Sequence, residues 1–77
     1  MVDKAEQYLF DMGFKQIRVR HHGSIARIEL GESDFDRFLD KELMKEVSIT
    51  LKELGFSYVT LDLEGYRTGS MNEVINV

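Results

Sequence analysis

The chain contains no cysteine and no proline. The first absence excludes a disulfide scaffold, a thiolate metal site and cysteine nucleophilic catalysis within these residues. The second goes with the lack of any linker, low-complexity tract or internal repeat, so residues 1–77 read as a single domain. A chain of this size buries roughly 60–65% of its unfolded surface, enough for a small core. No apolar run approaches the ~20 residues needed to span a bilayer, and the first residues, MVDKAEQYLF, carry no secretory pattern. The expectation is a cytoplasmic protein with no membrane contact. Positive charge is also short: 10 Lys and Arg stand against 14 Asp and Glu, for a net charge of -4. Nucleic-acid binding rests on neutralising phosphates, so no nucleic-acid partner is expected.

The basic residues that are present gather in one stretch. Gln16 to Leu30 reads QIRVRHHGSIARIEL and holds Arg18, Arg20, His21, His22 and Arg27. Apolar and polar residues alternate on both sides of Gly23, which is a hairpin signal. With His22-Gly23 as the loop, Val19 pairs Ala26, Arg18 pairs Arg27 and Ile17 pairs Ile28. Ile17, Val19, Ala26 and Ile28 then share one face, and Arg18, Arg20 and Arg27 share the other. Like charges directly opposite on a sheet cost stability, so this face calls for an anion, or for water and nearby acids.

The remaining segments read in order. Val2 to Met12 has helical spacing, with Asp3 as a cap, Gly13 as the stop and a stripe of Ala5, Tyr8, Leu9 and Met12. Gly31 breaks the second strand. Ser33 opens a short helix whose apolar side is Phe35, Phe38 and Leu39. Asp40 caps a longer helix with the stripe Leu43, Met44, Val47, Leu51 and Leu54, ended by Gly55. Phe56 to Leu63 alternates again and makes a third strand. The tail, EGYRTGSMNEVINV, is a loop with a capping box at Ser70 to Glu73 and at most two helical turns.

This order, α-β-β-α-β with the second helix in two pieces, predicts an α+β fold. Strands two and three are joined through a helix and so run parallel, with a right-handed connection. Placing strand one between them gives a ferredoxin-like two-layer sandwich with strand order 2-1-3, antiparallel neighbours and both long helices on one face. The other face is open and carries Arg18, Arg20, Arg27, Glu29, Tyr58, Thr60 and Asp62.

Arg18 and Arg20 project the same way, roughly 7 Å apart. That spacing suits one phosphate group or two neighbouring ones, because guanidinium groups bind phosphate oxygens bidentately. The alternative is a solvated face with ion pairs to Glu29 and Asp62. His21 and His22 point to opposite faces of an extended chain and cannot chelate one metal together, so no metal site is expected. The loop Glu64 to Ser70, with Tyr66 and Arg67, can hold a phosphate through backbone N–H groups, or simply turn the chain. Asp34, Asp36, Asp40, Glu42 and Glu46 read as a solvated charged face. No nucleophile–base constellation appears, so no catalytic residue is expected.

Two stretches carry more than periodicity. RVRHHGSIARIEL (Arg18 to Leu30) and GFSYVTLDLEGYRTGSMNE (Gly55 to Glu73) resemble the C-terminal part of the LarE-like ATP-dependent sacrificial sulfur transferases, members of the PP-loop ATP pyrophosphatase superfamily. The preceding AEQYLFDMGFKQ resembles the helix that leads into that part. The resemblance implies a parent enzyme whose N-terminal PP-loop domain binds ATP and Mg and adenylylates a pyridine-derived carboxylate. A cysteine of that parent then gives up its sulfur. The C-terminal domain is implied to help close the phosphate region and to take part in subunit assembly. On this likeness Arg18 and Arg20 bind phosphate or nucleotide, and Glu6 matches a glutamate of the leading helix that is associated in the family with the active site or a metal there. Arg27, on the same sheet face, and Arg67, in the loop after the third strand, are further candidates from their positions. The PP-loop signature and the donor cysteine precede this region in the family. The chain is therefore expected to be an excised C-terminal domain or a stand-alone relative, without cofactor or catalysis of its own. Its implied partners are a PP-loop domain in cis or in trans, a small anion and further copies of itself. The other reading is an assembly module with no ligand.

Overall fold

A computed structural model describes residues 1–66. The elements run α1 (Val2–Asp11), β1 (Ile17–His22), β2 (Ile25–Leu30), α2 (Glu32–Phe38), α3 (Lys41–Glu53) and β3 (Tyr58–Leu61). The sheet is mixed. β1 and β2 are antiparallel, and β2 and β3 are parallel. The α+β class, the divided second helix and the parallel direction of the second and third strands agree with the sequence.

The strand order does not. It is β1-β2-β3, with β2 in the middle, where 2-1-3 was expected. The reason lies in the strands themselves. β1 carries Arg18, Arg20, His21 and His22, and charge of this kind belongs on an edge. One of its outward N–H groups, that of Val19, donates to the Glu6 carboxylate on α1 at 2.8 Å, and among the described residues no further strand takes its place there. β2, by contrast, is buried at Ala26, Ile28, Glu29 and Leu30, as a central strand should be.

The hairpin register also differs. Gly23-Ser24 forms the loop, and the pairs are Ile17↔Leu30, Arg18↔Glu29, Val19↔Ile28, Arg20↔Arg27, His21↔Ala26 and His22↔Ile25. The slip from the expected pairing is two residues, so every side chain keeps its face. Turn geometry explains the choice. Gly23 has φ +61 and, among the described residues, no other residue type has a positive φ, so Ser24 stays on the negative side. This matches a turn with glycine at its first central position. A His22-Gly23 loop would demand that geometry with a bulky histidine first.

One face of the sheet packs against the helices. Ala5 and Leu9 of α1, Val47 and Leu51 of α3, and Phe14, Phe38 and Phe56 join Ile17, Val19, Ala26 and Ile28 in a single core. Asp40 caps α3, accepting from the Glu42 N–H at 3.3 Å. α1 and α2 start differently from expectation: their N-caps are Met1 and Gly31, with no side-chain cap from Asp3 or Ser33. Met44 and Leu39, assigned to apolar stripes, are exposed. The third strand stops at Leu61, and Leu63 is 84% exposed in the turn that follows. Asp34 is not part of a solvated face. It is 5% exposed and accepts from the backbone N–H groups of Lys15 and Gln16 at 3.0 and 2.8 Å, which fixes the α1–β1 connection against α2.

Candidate functional site

The second face of the sheet has no helix on it among the described residues. Its strand positions are Arg18, Arg20 and His22 of β1, Ile25, Arg27 and Glu29 of β2, and Tyr58 and Thr60 of β3, with Asp62 just beyond. Alternation along each strand sends these side chains to one side, and the apolar set to the core. Arg18, Arg20 and Arg27 therefore share this face, as expected from strand phase. None is fully buried: the Arg18 side chain is 46% exposed, and Arg20 and Arg27 are each 33% exposed.

The acid that joins them is Glu29. It is 1% exposed, yet it sits on the polar face. Its Oε2 accepts from Arg20 Nε and from Arg27 Nη2, both at 2.9 Å. Its Oε1 is buried without a hydrogen-bond partner. Arg27 Nε also faces Asp62 Oδ2 at 3.6 Å. The ion pairs to Glu29 and Asp62 offered by the alternative reading are thus present. Glu29, however, is enclosed rather than solvated, and one carboxylate serves two cations. Register explains part of this. Arg20 and Arg27 are direct cross-strand neighbours, and a bridging acid removes the repulsion between them.

Arg18 is held differently. It lies opposite Glu29 in the register but makes no bond to it. Its guanidinium carbon sits 5.8 Å from the centre of the Tyr66 ring, and its Nε is 3.9 Å from Glu6 Oε2. Tyr66 reaches this place because the chain turns sharply after β3. Glu64 N–H donates to the Asp62 side chain at 2.9 Å, Gly65 N–H to the Asp62 carbonyl at 3.1 Å, and Tyr66 N–H to the Leu30 carbonyl at 2.8 Å. Gly65 has φ +84, and a Cβ there would stand 2.7 Å from the Leu30 oxygen, so the turn needs glycine. Beside it lies an open cleft of about 360 Å³, lined by Leu30, Glu32, Phe35, Leu63, Glu64, Gly65 and Tyr66.

Of the residues singled out in the sequence, Arg20 and Arg27 meet at Glu29, and Arg18 shares their sheet face. Glu6 comes to the edge of the group, where it accepts a backbone hydrogen bond. Arg67 and the capping box at Ser70 to Glu73 lie outside the described residues. His21 and His22 are exposed at the end of the hairpin, on opposite sides of it. Sequence reasoning missed how central Glu29 is and missed the ring of Tyr66 beneath Arg18. The signal for Glu29 was there: it is the single acid in the hairpin, in phase with the arginines. Tyr66 stood in the loop singled out after the third strand, but nothing local placed its ring at Arg18. No helix among the described residues is long and apolar enough to cross a membrane.

No family model matches the chain. It is similar to two larger proteins. One is an uncharacterized protein of Synechocystis sp., 43% identical over 74 residues, which are 96% of this chain and 28% of that protein. The other is pyridinium-3,5-bisthiocarboxylic acid mononucleotide synthase of Lactiplantibacillus plantarum, 49% identical over 71 residues, 92% of this chain and 25% of that enzyme. The chain spans about a quarter of the length of these relatives. The likeness supports a relation to the LarE-like sulfur transferases.

Proposed function

We propose that this chain corresponds to the C-terminal part of a LarE-like sulfur transferase and contributes phosphate contacts through Arg18 and Arg20. The relation to the Lactiplantibacillus plantarum synthase supports the setting, because the name of that enzyme includes a mononucleotide product and hence a phosphate. The observation that carries the reading is that Arg18, Arg20 and Arg27, each partly exposed, share a sheet face with no helix on it among the described residues. Arg20 uses its Nε for Glu29, which leaves its two terminal amino groups for an outside acceptor. Arg18 lies on an aromatic ring rather than in a tight ion pair, so its fork is also available. Two such forks suit the oxygens of a phosphate. ATP, Mg and the chemistry belong, on this reading, to a PP-loop domain supplied in cis or in trans, and the chain is not catalytic alone.

The test is an NMR titration of the protein with inorganic phosphate at fixed ionic strength. Amide shifts centred on β1 that saturate, and that vanish in the Arg18→Ala/Arg20→Ala variant, are the expected result. Equal shifts in the double variant remove the reading.

A second reading, subunit assembly, is favoured by one observation. Ile25 and Tyr58 are register partners at one end of the same face, and Tyr58 is 64% exposed. Light scattering discriminates. A stable oligomer that dissociates on Tyr58→Asp and ignores phosphate supports assembly.

A further inference from the structure

We infer that Glu29 is a positioning residue: its buried carboxylate clamps Arg20 and Arg27 side by side and so presets the anion-binding face. The inference rests on the phosphate reading above and adds the residue that orders the site. The geometry carries it. Both guanidinium groups meet the same oxygen at 2.9 Å, and the carboxylate is 1% exposed. A surface acid that merely balances charge would lie in water with several rotamers open to it. Glu29 instead holds two long side chains, each of which would otherwise lose rotamer freedom on meeting a ligand. Arg20 is gripped through Nε, so the position of its guanidinium is set while no hydrogen bond to the carboxylate occupies its terminal amino groups. Arg18, the third arginine, has no bond to Glu29 and so remains the adjustable member of the group.

Clamping and charge balance make opposite statements about Glu29→Asp. This variant keeps the negative charge and withdraws it by one methylene, beyond reach of one or both guanidinium groups. If charge alone matters, phosphate affinity is unchanged. If Glu29 positions, affinity falls about five- to tenfold, the factor that corresponds to re-ordering one or two long side chains. The measurement is calorimetric or NMR titration with inorganic phosphate, beside a thermal melt that reports whether the variant is folded.

A second measurement needs no variant. In the wild-type protein at neutral pH, the Arg20 Nε–H signal should be sharp and slow to exchange with water, while that of Arg18 exchanges rapidly. Equal exchange at the two sites, or a folded Glu29→Asp protein that binds phosphate as tightly as wild type, overturns the inference. Failure of the wild-type protein to bind phosphate at all removes the functional reading instead, and the Nε–H exchange then decides the clamp on its own.

Discussion

Asp34 receives two backbone N–H groups from a loop that lies 18 and 19 residues earlier in the chain. Removing a charged acceptor from a buried site leaves its donors without partners, at about 1–3 kcal/mol for each. Asp34→Ala should therefore cost about 2–6 kcal/mol. A domain of this length has only about 4–11 kcal/mol in all. Urea denaturation measures the loss directly, and Asp34→Asn, whose amide oxygen accepts in the same place, should recover much of it. Both hydrogen bonds go to one oxygen, Oδ2, so an amide oxygen can replace it. The same residue shows where sequence reading ends. Asp34 stands among Asp36, Asp40, Glu42 and Glu46, and no pattern within that run separates it from its solvated neighbours. What singles it out is a partner far along the chain. Glu29 differs in this respect. Its phase placed it among the arginines from the start, and only its burial had to come from the structure.

The hairpin is the element on which the candidate site depends, and its turn sets its register. Gly23 has φ +61, and a Cβ added there meets nothing within 4 Å. Any penalty for Gly23→Ala is therefore backbone strain, expected at about 1–2 kcal/mol. A D-alanine at the same position is free of that strain and should restore the stability, which chemical denaturation of the synthetic protein would record. A loss that persists with D-alanine means the turn has been misread. Alternation identified both strands and both faces correctly, because a shift of two residues changes no side chain's face. It could not identify the partner of each residue. Pairing Arg18 with Arg27 and pairing Arg18 with Glu29 look alike from periodicity alone. Only the conformational demand of the turn distinguishes them.

At the scale of the molecule, charge decides both the sheet order and the expected response to ligand. The most basic strand lies at an edge, next to α1, and the most buried strand lies at the centre. The sequence contained that distinction, but the expected 2-1-3 order gave priority to spacing the parallel strands apart. The chain as a whole carries -4, so its surface repels phosphate on average. Any stabilisation by phosphate must then come from a local positive group. Phosphate at ten times its dissociation constant should stabilise the folded state by about 1.4 kcal/mol. For a domain this small that is a rise of about 6–11 °C in Tm. Chloride at the same ionic strength screens the arginine repulsion without bridging it, so it should raise Tm by much less. The Arg18→Ala/Arg20→Ala protein should melt alike in both salts, because the ion then has no pair of forks to join. Equal rises in phosphate and chloride for the wild-type protein would mean that screening accounts for the whole effect and that the sheet face holds no anion.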